Sequence, residues 1–137
     1  MFKLSRVDKE LRKRGNSIMH QEGFDIQVEQ IPPLMVTYIE GEVSQQQIAD
    51  ELNRDKSSIN RTITWLEKNG YVSVSQDSAD KRRNIIKTSR KGEAFASTLF
   101  QHMSKLNDEI VNALTAEENK VMDRVFDKVI AIVKKEG

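Results

Sequence analysis

A mainly α-helical fold with a small β-hairpin, bounded by a long helical segment at each end, is what this 137-residue sequence predicts. Three observations predict it. The stretch from Ser44 to Gly70 has the caps and apolar spacing of two short helices joined by a tight turn. The stretch from Tyr71 to Thr88 has two β-branched or aromatic runs separated by a polar, arginine-rich loop. Both ends carry apolar residues at steps of three and four, the period of an amphipathic helix.

Leu4, Val7, Leu11 and Ile18 form one such stripe, on a helix running from about Ser5 to Gln21. Gly15 weakens that helix by ~1 kcal/mol without stopping it, and Gly23 ends it or opens the next loop. Pro32 and Pro33 fit only the first turn of a helix, where a missing amide hydrogen costs nothing. Leu34, Met35, Tyr38 and Ile39 then mark a short buried helix that ends near Gly41.

Ser44 and Gln47 stand at capping-box spacing, with Ile48, Ala49 and Leu52 on the inner face of the helix they open. Asp55 is a good N-cap for the next helix, whose inner face is Ile59, Ile63 and Leu66. Asn69-Gly70 is a stop signal, with Gly70 in the left-handed position after the last turn. Tyr71, Val72 and Val74, then Ile85, Ile86 and Thr88, read as the two strands of a hairpin. From Ser89 onward Phe95, Leu99, Met103, Leu106, Ile110 and Leu114 step at helical spacing. Thr115 and Glu118 form a second capping box, and Val121, Met122, Val125, Phe126, Val129, Ile130 and Val133 line a last helix.

The reading is thus a winged helix-turn-helix flanked by N- and C-terminal dimerisation helices. A single domain is expected over residues 1–137, with the winged-helix part at 30–90 and the helical dimerisation parts at 1–22 and 91–137. The apolar surface of the terminal helices exceeds what one small domain needs. That surplus predicts a homodimer, and two-fold symmetry suits a palindromic site.

Composition narrows the function. No apolar run reaches the ~20 residues that a membrane helix needs, and the N-terminus lacks a secretory signal, so a cytoplasmic protein with no membrane partner is expected. The absence of cysteine removes disulfides, thiolate metal sites and thiol redox chemistry. His20 and His102 stand in no metal-ligand spacing. No nucleophile–histidine arrangement and no glycine-rich phosphate loop is present, so neither an enzyme nor a cofactor or metal site is predicted.

The overall charge of +1 hides a strong asymmetry. Residues 54–91 hold ten Lys/Arg against four Asp/Glu, a net of +6. Nine acids against six bases precede them, and eight against six follow. A basic middle between acidic ends is the footprint of a nucleic-acid face, and its charges fall on the second helix and the hairpin tip.

On duplex DNA the second helix would enter the major groove. Lys56, Ser57, Ser58, Asn60, Arg61, Thr62 and Thr64 lie off its inner stripe. Arginine can hold guanine bidentately, and asparagine can do the same for adenine. Arg61 is therefore the first choice for base reading, with the Ser57 and Thr62 hydroxyls suited to phosphate oxygens. The tip, with Asp80, Lys81, Arg82 and Arg83, would reach a minor groove, where arginine is favoured. Asp80 is expected to orient an arginine by a charge-assisted hydrogen bond.

The tip resembles that of the MarR (multiple antibiotic resistance regulator) family. Asp77, Asp80, Lys81 and Arg82, followed by Ile86, Ser89 and Gly92, stand at that family's spacing, and Leu66-Glu67-Lys68-Asn69-Gly70-Tyr71-Val72 is similar to its preceding stretch. The resemblance spans about Ser44 to Gly92. It implies a six-helix homodimeric transcriptional regulator that represses or activates genes, often in response to a small aromatic ligand. It also implies Arg82 in the minor groove with Asp80 as its support, and Ser57, Asn60 and Arg61 on the major-groove helix. Met19, His20, Phe24, Met35 and Tyr38 are candidates for lining a small-molecule cleft, although core packing accounts for them equally well. Trp65, the only tryptophan, reads as partly buried packing. The competing readings are a winged-helix module that binds protein and a non-specific architectural DNA-binding protein.

Overall fold

Ser44 sets the geometry of the centre of the chain, because it ends one element and opens the next. In a computed structural model that describes residues 3–134, Ser44 closes β1 (Glu42–Ser44) and caps α3 (Gln45–Leu52). Its Oγ accepts the Gln47 amide at 3.2 Å, while Gln47 Oε1 accepts the Ser44 amide at 2.8 Å. Two amide groups that a helix start would leave unpaired are thereby satisfied. The outermost positions of the expected helical ends, 1–2 and 135–137, lie outside the described residues.

The chain forms two compact units, one up to Leu99 and one from Phe100. The first holds α1 (Lys3–Gln21), a 3-10 turn (Val28–Gln30), α2 (Ile31–Glu40), β1, α3, α4 (Lys56–Lys68), β2 (Val72–Gln76), β3 (Asn84–Thr88) and the opening turns of α5 (Arg90–Ala113). The second holds the rest of α5 and α6 (Ala116–Lys134). The division therefore falls inside α5 and not at its start.

In the first unit the strands make an antiparallel sheet in the order β1-β3-β2, with Val43 opposite Ile86 and Ile86 opposite Val74. Only β2 and β3 were expected. β1 has three residues, too few to show an alternation, and its last residue carries a helix cap, so its sequence reads as a loop. The prolines open α2 as expected. Its buried residues are Pro33, Leu34, Val36 and Thr37, and the Thr37 hydroxyl donates to the Pro33 carbonyl at 2.9 Å. Met35 and Tyr38 are only half-buried, and Ile39 is 64% exposed. Ile39 is uncovered because the helical period places it on the side of α2 away from the buried row of Pro33, Leu34, Val36 and Thr37.

Leu34, Ile48, Ile59, Leu66, Tyr71, Ile86 and Phe95 are fully buried and form the core under the helix-turn-helix. Phe24 meets Phe95 edge-on at 5.2 Å, Phe95 meets Tyr71 edge-on at 6.0 Å, and Tyr71 stacks on Trp65 at 6.0 Å. Both edge-on pairs are favourable for aromatic quadrupoles. The chain of rings links the segment after α1 to α5, the hairpin and α4.

In the second unit the expected capping box is present. The Thr115 amide donates to Glu118 Oε2 at 2.8 Å, and the Glu118 amide donates to Thr115 Oγ1 at 3.1 Å. Asn119 Nδ2 closes the corner by donating to the Val111 and Thr115 carbonyls. The apolar faces of both terminal segments stay open. Leu4, Val7 and Leu11 in the first unit are 44–51% exposed. In the second, Met103, Val125, Phe126 and Ile130 are likewise exposed. The surplus apolar surface expected on the terminal helices is thus present at these positions, while Ile18 of the first stripe and Leu106, Leu114, Met122 and Val129 of the second are half-buried.

Candidate nucleic-acid interface

The turn between α3 and α4 is shaped by Asn53, which sits in the left-handed region at φ +50° and ends α3. Asparagine is among the few non-glycine residues that adopt this conformation readily. Asp55 then caps α4, its Oδ2 accepting the Ser58 amide at 2.8 Å. Ile59, Ile63 and Leu66 anchor α4 in the core and fix which side faces out. At the other end Gly70, at φ +79°, turns the chain into the hairpin.

The exposed side of α4 carries Lys56, Ser57, Asn60, Arg61 and Thr64, while Ser58 and Thr62 lie half-buried at its edges. Ser57, Arg61 and Thr64 point nearly the same way by the helical period. Lys68, seven residues past Arg61, extends that row by two turns, although it was not among the expected contacts. Thr64 Oγ1 donates to the Asn60 carbonyl at 2.8 Å and is therefore partly committed to its own helix.

The wing tip is ordered by side chains bonding to backbone. The Asp77 amide donates to the Arg83 carbonyl at 2.9 Å, and the Arg83 amide donates to the Asp80 carbonyl at 2.9 Å. Asp77 Oδ1 accepts the Ala79 amide at 2.8 Å, and Asp80 Oδ1 accepts the Arg82 amide at 3.0 Å. These are Asx-type turns. Asp80 thus holds the backbone of Arg82; the expected bond from Asp80 to an arginine side chain is not formed. Lys81, Arg82 and Arg83 are all exposed.

Among the described residues, Lys56, Arg61, Lys68, Lys81, Arg82 and Arg83 have no carboxylate partner. Three other cations of the same stretch are used within the molecule. Arg54 Nη1 donates to the Glu29 carbonyl at 3.3 Å. Lys87 pairs with Glu42 across the β1–β3 register. Lys91 Nζ donates to the Asn69 carbonyl at 2.9 Å and lies 4.3 Å from the centre of the Tyr71 ring. Nine of the ten cations in the basic stretch therefore divide into free cations on α4 and the wing and structural cations around them, while Arg90, exposed at the start of α5, has no carboxylate partner among the described residues and belongs to neither set.

A groove of about 370 Å³ lies beside the end of α1, lined by Asn16, His20, Phe24, Asp25, Ile26, Gln27, Val28 and Glu29. It gathers His20 and Phe24 from the residues expected at a cleft. Met19 is buried in the core, and Met35 and Tyr38 are half-buried on α2. Burial, and then the charge of Asp25, push the Tyr71 hydroxyl above its ordinary pKa. No group of three or more potential metal ligands occurs among the described residues, and no described helix is long and apolar enough to cross a membrane.

A capped helix pair, a hairpin with a cationic tip and a third short strand define a winged helix-turn-helix. Residues 30–83 match the model of the MarR family. Its fold is shared by several solved structures. It is similar to MepR of S. aureus in a DNA complex, at 22% identity over 95% of this chain and 94% of that chain, with a TM-score of 0.78. It is similar to Streptococcus pneumoniae FabT in complex with DNA, at 17% identity over 98% and 99% of the two chains, with a TM-score of 0.81. A mutant of E. coli MarR complexed with operator DNA is also similar, at 21% identity over 92% of each chain, with a TM-score of 0.68.

Proposed function

We propose that this protein is a sequence-specific, DNA-binding transcriptional regulator that works in the cytoplasm as a homodimeric repressor and not as an enzyme. The observation that carries this reading is the set of unpartnered cations on α4 and the wing tip, held on a rigid frame. Bases with no internal partner are available to phosphates and base edges. The MepR, FabT and MarR complexes, whose fold this chain shares, support the same reading. The open apolar stripes on α1 and in the second unit support a two-fold dimer. Its two copies of α4 would read half-sites about one helical turn, ~10 bp, apart in a palindromic operator.

In this assignment Arg61 reads a base in the major groove, with Asn60 beside it. Lys56, Ser57, Ser58, Thr62 and Thr64 meet the backbone at the groove edges. Lys81, Arg82 and Arg83 follow the strand into a minor groove, and Asp80 holds the tip in shape. The domain scheme follows: a winged-helix part at 30–90 between helical dimerisation parts. Release by a small aromatic effector is proposed at the groove of His20 and Phe24. Phe24 touches Phe95, and the Glu29 carbonyl holds Arg54 in the α3–α4 turn, so a ligand there would press on the reading head from two sides.

The test is salt-titrated binding to a matched operator and to random duplex. Affinity for the operator should fall steeply with salt, as neutralised phosphates release their counterions. It should exceed affinity for random duplex by at least ~10³-fold. Arg61→Ala should cost about 1–3 kcal/mol at the matched site and relax its base preference, while Arg82→Ala weakens matched and random duplex alike. No salt-dependent binding would favour the protein-binding reading, and equal affinity for all duplexes the architectural one. Asp80→Ala frees the Arg82 amide and is expected to weaken operator binding several-fold while thermal stability moves by no more than about 1 kcal/mol, because the bond it removes is exposed.

A further inference from the structure

We infer that Lys91 is a positioning residue for the reading helix and not a phosphate contact: it ties the C-terminal end of α4 to the start of α5. By charge and place Lys91 belongs with the DNA-facing cations. Its geometry assigns it elsewhere. The ammonium donates to the Asn69 carbonyl at 2.9 Å, one of the acceptors that a helix end leaves without an intrahelical partner. It also lies 4.3 Å from the centre of the Tyr71 ring, a cation–π contact on a fully buried residue. One charge thus bonds the residue that ends α4 and covers the first residue of the hairpin.

The connection is reinforced on both sides of Lys91. Ser89 donates its hydroxyl to the Gly70 carbonyl and its amide to the Tyr71 carbonyl. Gly92 packs so close to Tyr71 that a β-carbon there would stand 2.1 Å from the Tyr71 oxygen. Asn69, Gly70 and Tyr71 are therefore gripped by Ser89, Lys91 and Gly92, at the junction of the hairpin and the first turn of α5. Tyr71 in turn stacks on Trp65 of α4, so the grip reaches the helix itself. α5 leads out of the first unit toward the segment proposed to dimerise. A link between its first turn and the end of α4 sets how the reading helix is presented.

This inference rests on the proposed DNA-binding function, and its test separates the two. Operator binding is measured against salt concentration for the full chain, for Lys91→Met, for Lys91→Arg and for Arg82→Ala, together with Trp65 fluorescence without DNA. Lys91→Met is expected to lower operator affinity about tenfold, the sum of a charged hydrogen bond and a cation–π contact, and to leave the salt slope and random-duplex affinity as in the parent. Trp65 emission should shift in the free protein. Lys91→Arg, which keeps a donor and a planar cation over the ring, should restore both affinity and emission. Arg82→Ala should reduce the salt slope by about 1 and leave the emission alone. A salt slope reduced by Lys91→Met, or parental affinity in that variant, would overturn the inference. If the parent itself bound no DNA, the proposed function would fail, and unchanged Trp65 emission in Lys91→Met would then refute the latch independently.

Discussion

Gly92→Ala is expected to destabilise the fold by about 3 kcal/mol or more, although alanine is the better helix former. By propensity alone the change should gain ~1 kcal/mol, because glycine costs that much inside a helix. Gly92 lies in the first turn of α5, where its amide donates to Ser89 Oγ at 3.1 Å. An added β-carbon would meet the Tyr71 oxygen at 2.1 Å, the Tyr71 carbonyl carbon at 3.1 Å and Leu34 Cδ1 at 3.4 Å. The first two are backbone atoms, and that oxygen already accepts the Ser89 amide at 3.0 Å. Relief would require pulling α5 from the hairpin, which sacrifices this hydrogen bond and the packing of Phe95. Steric cost therefore exceeds propensity gain. Gly15→Ala supplies the control, since an added β-carbon there meets nothing within 4 Å in the middle of α1. It should stabilise by up to ~1 kcal/mol. Urea denaturation of both variants at one protein concentration reads the comparison, and two changes of the same sign would contradict it.

Much of the helix-turn-helix was legible because its signals are local. Ser44 with Gln47, Asp55, and Asn69-Gly70 act within a few residues of themselves, so spacing alone gives their geometry. The inward row Ile59, Ile63 and Leu66 follows from the helical period, and it decides that Arg61 faces out. What stayed hidden depends on partners distant in sequence. β1 exists because Val43 finds Ile86, more than forty residues away. Arg54, Lys87 and Lys91 look like Arg61 and Arg82 when charge is counted, yet each is held by a distant group: Glu29, Glu42 and Asn69.

Charge counting blurred the N-terminal part as well. α1 carries Lys3, Arg6, Lys9, Arg12, Lys13 and Arg14 against only Asp8 and Glu10, so the acids that make the first third negative lie after it. Two of them, Asp25 and Glu29, line the groove. The expected Asp80–arginine bond failed for a similar reason. In a seven-residue loop the nearest donor to a carboxylate is a backbone amide two residues on, and that local bond formed instead.

Phe95→Ala is expected to cost about 3–5 kcal/mol, enough to unfold much of a marginally stable domain. Phe95 is fully buried and is the middle ring of the chain Phe24–Phe95–Tyr71. Removing it leaves a ring-sized void beneath Tyr71 and forfeits two edge-on contacts, each worth about 0.5–1.5 kcal/mol beyond burial. Phe24 is only half-buried, so Phe24→Ala should cost clearly less. Phe95→Leu retains most of the apolar contact and should give a folded protein in which the aromatic chain alone is broken. In that variant Tyr71 has lost its one ring contact from α5, although Lys91 and Gly92 still meet it, and its stacking on Trp65 should loosen. A shifted Trp65 emission together with a weakened preference for the operator would mean that α4 depends on the ring behind it. Parental emission in folded Phe95→Leu would mean that Ile59, Ile63 and Leu66 hold α4 without that help, and a ligand beside Phe24 would then have no aromatic route to the surface proposed to read DNA.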